Sequence, residues 1–120
     1  MARDKKSKTV LARYAAGERA FPDLDRDHGV YNFDNADLRG AIFSRTFLFA
    51  TFRNANLAGA IFSRCNVKTC DFSRANLTGA TFYNSAIDAA IFDGAVLTDA
   101  DFEEASAYGH VFGAGELPPH

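Results

Sequence analysis

Two ten-residue stretches of this chain almost copy each other: ADLRGAIFSR at 36–45 and ANLAGAIFSR at 55–64. They belong to a longer pattern. From Ala50 the sequence divides into fives in one phase: ATFRN, ANLAG, AIFSR, CNVKT, CDFSR, ANLTG, ATFYN, SAIDA, AIFDG, AVLTD, ADFEE, ASAYG, HVFGA. The first place is small, the third is large and apolar, and the others are mostly polar or turn-forming. Before Ala50 the same phase runs as YNFDN, ADLRG and AIFSR, and then as TFLF, a unit one residue short. A repeat of this length constrains a fold more than any single motif does.

A period of five matches neither a helix nor a plain strand. It predicts a chain that turns a corner every five residues, with four corners closing one coil. Third-place residues taken four units apart then sort by type. One side carries Phe33, Phe52, Phe72, Phe92 and Phe112, and the next Leu38, Leu57, Leu77 and Leu97. The third carries Phe43, Phe62, Phe82 and Phe102, and the fourth Leu48, Val67, Ile87 and Ala107. These side chains are expected to point inward and stack on their equivalents about 4.8 Å apart, the spacing of hydrogen-bonded strands, in a rod roughly 20 Å long. Each buried Phe or Leu contributes on the order of 1.5–3 kcal/mol. Gly40, Gly59 and Gly79 fall at corners that need a positive φ, and Asn35, Asn54 and Asn84 tolerate the same conformation. Asp99 interrupts the glycine ladder, which predicts a change of turn there.

The length suits one domain. The net charge of −2 shows no basic excess, which argues against direct nucleic-acid binding. Cys65 and Cys70 occupy first places as small inward residues, outside any disulfide or metal-ligand pattern. No apolar segment reaches signal-peptide or membrane-span length, so a reducing cytoplasmic setting is expected, with no membrane partner. His28 lies in an irregular segment, His110 at a crowded first place, and His120 at the end of the sequence. No nucleophile–base pair is readable from spacing, and a coil filled by its own side chains leaves no catalytic cavity. No enzyme activity and no cofactor are therefore expected.

The units ADLRG, ANLAG and ANLTG resemble the pentapeptide-repeat family, whose motif is A(D/N)Lxx. The resemblance covers about two-thirds of the chain. It implies an all-β fold, a right-handed quadrilateral β-helix of about four to five coils with a short N-terminal capping helix. Structural roles carry over to the first- and third-place ladders, and no shared catalytic residues exist to carry over. The expected organisation is 1–30 for a basic tail, cap helix and irregular first coil, 31–114 for the β-helix, and 115–120 for a tail. The cap helix is expected over 7–17, with Val10, Leu11 and Tyr14 on one face and Gly17 as its stop. At the C-terminus, GAGELPPH either folds over the last coil or leaves it open to another molecule, a homodimer through the C-terminal coil being the simplest case.

The outward charges separate along the chain. Arg39, Arg45, Arg53, Arg64, Lys68 and Arg74 face only Asp71, whereas Asp88, Asp93, Asp99, Asp101, Glu103 and Glu104 form a wholly acidic stretch. That polarity is either a docking surface or a solvated exterior that deters edge pairing. Lys68 is expected to stack under Asp88 as a local pair, and Arg45 over Arg64 as like charges. The short unit places Phe47 and Phe49 at outward positions beside Arg45 and Arg53. They are either the centre of a recognition patch or displaced onto the N-terminal segment. Two functions fit: a non-catalytic structural and protein-interaction rod whose partner is a protein, or a DNA-mimicking topoisomerase binder. The resemblance supplies the second, because some members of the family resemble B-DNA in diameter and charge and act on DNA gyrase. The candidate interaction surface is Arg45, Phe47, Phe49, Arg53, Arg64, Asp88, Asp93, Asp99, Asp101, Glu103 and Glu104.

Overall fold

The computed structural model describes residues 3–25 and 29–120; His28 lies outside the described residues. Each five-residue unit builds one short side and one corner. At the corner the third-place carbonyl accepts a hydrogen bond from the amide three residues on, as in Ala36 N to Phe33 O (3.1 Å) and Ala75 N to Phe72 O (3.0 Å). The residue that turns the chain has positive φ: 69°, 68° and 68° at Gly40, Gly59 and Gly79, and 61°, 58° and 56° at Asn35, Asn54 and Asn84. Asp99 keeps the same turn, at φ 57°, contrary to the change expected there. Asp is one of the non-glycine residues that enter the left-handed region at lowest cost.

Successive windings pair in parallel. The bridges Asp37 to Asn56, Ile42 to Ile61 and Phe47 to Asn66 precede the effect of the short unit, and Thr51 to Asp71, Asn56 to Asn76 and Ile61 to Thr81 follow it. The separation grows from 19 to 20 residues where the missing corner residue no longer intervenes. Corners at every fifth residue leave each side too short for an extended ladder. The strands among the described residues are therefore only two residues long: β1 (Tyr31–Asn32) parallel to β2 (Ala50–Thr51), and β3 (Ser106–Ala107) antiparallel to β4 (His110–Val111).

The third-place columns fill the interior. Phe33, Phe52, Phe72 and Phe92 are at most 2% exposed, as are Phe43, Phe62, Phe82 and Phe102. Leu38, Leu57, Leu77, Leu97, Leu48, Val67 and Ile87 are also buried. From Phe43 to Phe102 the rings stack nearly parallel within each column, with centroids 4.7–5.2 Å apart. Between the two Phe columns they meet edge to face, as for Phe62 and Phe72 at 5.5 Å and 85°. Both arrangements suit the ring quadrupole. The first-place column through Thr46, Cys65, Ser85 and Ala105 differs from the alanine columns. Cys65 Sγ donates to the Phe43 carbonyl, Ser85 Oγ donates to the Phe62 carbonyl, and Ser85 Oγ accepts from Cys65 N. A side-chain hydroxyl thus replaces the direct corner bond. Burial raises the Cys65 thiol to about 11.

The N-terminal end is closed by α1 (Lys5–Ala15). It starts two residues before the expected Ser7 because Asp4 caps it, accepting from Ser7 N at 2.8 Å. Ser7 is instead fully buried and its Oγ accepts from Asn32 N on the first winding (2.9 Å). Val10 is buried, Leu11 and Tyr14 pack against the core, and Tyr14 Oη donates to the Arg39 carbonyl (2.7 Å). Beyond the helix, Ala20 bridges Ile42, which places Phe21 on the Phe43 column at 5.9 Å.

At the other end the winding stops in a two-residue hairpin. Tyr108 (φ 51°) and Gly109 (φ 82°) both occupy the left-handed region, the requirement of a type I′ turn. The chain reverses, so Phe112 does not continue the Phe33 column. It returns antiparallel, with its amide donating to Ala105 O (2.8 Å), and packs on Phe102 at 6.3 Å. The tail then folds back: Glu116 accepts from Gly113 N (3.0 Å) and pairs with His110, and Pro118 is buried. The tail thus folds back, while the Phe92 and Leu97 amides at the end of the last winding have no backbone acceptor among the described residues.

Among the described residues, Phe72 is held by four rings and Phe112 only by Phe102 and His110. Phe72→Ala should cost about 3–5 kcal/mol, read from urea unfolding, and Phe112→Ala markedly less; equal losses would deny the ring columns their central role. The buried Cys65 thiol should react with iodoacetamide at pH 8 far more slowly in the native protein than in urea. Because its folded pKa is raised, it contributes stability below the ordinary thiol value, and that contribution is lost as pH rises from about 9 toward about 11. Thermal midpoints across that range should therefore fall more for the native chain than for Cys65→Ala.

Candidate interaction surface

A rod filled by its own side chains can act only through what it presents outside. On each side the residues immediately before and after the third place point outward, and the positive-φ residues form the edges. The structure separates the sequence-derived candidates among these positions. Arg45 and Arg64 lie one winding apart on the edge between the Phe43 and Leu48 columns, since Ile42 bridges Ile61 and Phe47 bridges Asn66. Phe47, 44% exposed, lies on the adjoining Leu48 side, and Phe49 on the same side is half-buried. Arg53 belongs to the Phe33 side, around a corner from these groups. The acidic residues do not form one patch. Asp88 lies on the Leu48 side, Asp93 on the Phe33 side, Asp99 on an edge, and Asp101, Glu103 and Glu104 on the Phe43 side and its edge. Together they ring the last winding.

The cations differ in how far the chain neutralises them. Arg39 is paired with Asp37 (2.9 Å), and Arg53 lies between Asp34 (3.3 Å) and Asp71 (3.7 Å). Arg74 Nε donates to Asn54 Oδ1 (3.1 Å). Asp37 is held below the usual carboxylate range, chiefly by the hydrogen bond from Arg39. By contrast, Arg45, Arg64 and Lys68 have no carboxylate partner among the described residues, and all three sit on the Leu48 side or its edge. The expected pair between Lys68 and Asp88 is absent among the described residues. Asp88 Oδ2 instead accepts from Tyr108 N (2.9 Å) at the hairpin, a bond that fixes the last turn.

Tyr108 is the functional-surface candidate that sequence reasoning missed. It is 77% exposed, at the C-terminal end of the Leu48 side. The repeat placed it as an ordinary outward residue, and Tyr–Gly is not among the dipeptides that announce a tight hairpin, so no local signal singled it out. A hollow of about 500 Å³ lies beside it, lined by Ile87, Ile91, Phe92, Phe112, Pro118 and other residues. Among the described residues, no group of three His, Cys, Asp or Glu side chains could hold a metal ion. No helix of the described residues is long and apolar enough to cross a membrane.

Comparison with known proteins agrees with this geometry. Family models for pentapeptide repeats match residues 32–74 with eight copies and 62–106 with nine, together more than half of the chain. No curated protein matches the chain. Among solved structures, it is similar to HetL, a pentapeptide repeat protein involved in heterocyst differentiation regulation from the cyanobacterium Nostoc sp. strain PCC 7120. The identity is 29% and the TM-score 0.62, over 68% of this chain and 39% of HetL. It also shares the fold of trypsin-treated QnrB1, a plasmid-mediated fluoroquinolone resistance protein, at 21% identity and a TM-score of 0.53, over 73% of this chain and 55% of QnrB1. The chain thus spans about two fifths of HetL and just over half of QnrB1. On its stacked columns, its corner pattern and both repeat models, the chain belongs to the pentapeptide-repeat family.

Proposed function

We propose that this chain is a non-catalytic structural and protein-interaction module, working in the cytoplasm and presenting a rigid rod to a protein partner. The rod is read as a right-handed β-helix of about four to five coils. The observation that carries the reading is the filled interior: ring columns occupy the space an active site would need, so recognition falls to the outside. Arg45, Arg64 and Lys68, without a carboxylate partner among the described residues and beside the exposed Phe47, then form the part of the surface best suited to a partner. Phe47→Ser should leave the far-UV spectrum and thermal midpoint nearly unchanged and abolish co-purification of the partner from the native host. Retention of every co-purifying protein would count against this surface.

The acidic ring of the last winding supports a second reading, a DNA-mimicking topoisomerase binder. In that reading Asp93, Asp99, Asp101, Glu103 and Glu104 stand in for phosphates. The rod would then lengthen through a homodimer at the C-terminal coil, where the Phe92 and Leu97 amides have no backbone acceptor among the described residues. Against it stands the basic middle of the rod, opposite in sign to a nucleic-acid backbone. A supercoiling assay with purified gyrase decides between the two. The interaction-rod reading expects no inhibition at large molar excess, and dose-dependent inhibition would favour mimicry.

A further inference from the structure

We propose that the Leu48 side of the rod docks face to face on the same side of a second copy, with the two rods antiparallel. The proposal rests on the reading of the chain as an interaction rod and names the occupant of its most reactive side. The carrying observation is the order of groups along that side. Its edge reads Arg45, Arg64, Asn84, Glu104 in successive windings. The column before the third place reads Phe47, Asn66, Ala86, Ser106, and the column after it Phe49, Lys68, Asp88, Tyr108.

A two-fold axis lying in the interface, perpendicular to the rod and midway between the windings of Lys68 and Asp88, inverts each column against its own copy. Arg45 then faces the second copy's Glu104, Lys68 faces its Asp88, Phe49 faces its Tyr108, and Arg64 faces its Asn84. Each contact occurs twice. One register satisfies both charge pairs at once. Sliding by one winding in one direction sets Arg64 against Arg64 and Lys68 against Lys68; in the other direction it brings Arg64 to Glu104 but sets Asp88 against Asp88 and leaves Arg45 and Lys68 without a facing carboxylate. Like charges so placed oppose docking, which fixes the register as well as the partner.

This arrangement accounts for features the isolated rod leaves unexplained. Arg45 and Arg64 are like charges one winding apart with no carboxylate partner among the described residues, and Lys68 and Glu104 also make no ion pair there. The Asp88 carboxylate accepts from Tyr108 N through Oδ2 and makes no other side-chain hydrogen bond among the described residues. Tyr108, 77% exposed, gains an aromatic neighbour. Four windings about 4.8 Å apart across an extent of 25–27 Å give a face of about 500 Å², the size of a small, charge-steered interface.

Sedimentation equilibrium of the full chain tests the proposal. The wild type should dimerise, more weakly as salt rises. Arg45→Glu or Glu104→Arg alone should weaken the dimer by about tenfold or more, as should Lys68→Glu. Arg45→Glu combined with Glu104→Arg should restore it, because the swapped pair regains opposite signs in the same register. Far-UV spectra identify any variant that misfolds, and the restoring double variant keeps the result decisive if one single variant does. A wild type that stays monomeric at high concentration overturns the proposal, as does a dimer indifferent to all three reversals. If such a monomer still captures a host protein through Phe47, self-docking fails while the interaction-rod reading stands; loss of both removes the two together.

Discussion

The structure depends on a coincidence of two lengths. Hydrogen-bonded strands lie about 4.8 Å apart, and stacked aromatic rings in this core lie 4.7–5.2 Å apart. Backbone pairing and side-chain packing therefore ask for the same rise per winding. Neither has to strain to accommodate the other, and a side only a residue or two long can hold its register. Most of the cohesion is then between neighbouring windings, as in other solenoids. The two ends, which lack a neighbour, need different chemistry, supplied by α1 at one end and by a hairpin with a folded tail at the other.

The interior was legible in the sequence because its rule is periodic. Phe52, Phe72 and Phe92 could be assigned to one column by counting, and Gly40 and Asn54 to corners by what a positive φ requires. The departures come where a local event breaks the count. The helix begins at Lys5 because a single carboxylate, Asp4, accepts the Ser7 amide. Phe112 leaves its column because two successive left-handed residues reverse the chain just before it. Asp99 needed no new turn because aspartate tolerates what glycine does there.

The surface was less legible, since charge in a sequence does not say which charges meet. Arg39, Arg53 and Arg45 look alike in the list of residues. Only the fold shows that the first two lie beside Asp37 and Asp34 while Arg45 has no carboxylate near it among the described residues. The short unit had the largest effect on this surface. It carries two aromatic residues on one side, Phe49 half-buried and Phe47 exposed. Cys65 and Ser85 show the reverse case: filling the alanine slot was legible, but the polar bonds they lend to the corners beneath were not.

The reversal at Tyr108 and Gly109 also limits how such a chain can vary in length over evolutionary time. Repeats copied downstream of the hairpin would meet an antiparallel edge and find no register to join. Lengthening must instead occur by duplication upstream, in multiples of a full 20-residue turn, so that the same side chains still arrive beneath the closing loop. The hairpin therefore works as a fixed terminus, with all tolerance for insertion moved into the body of the solenoid.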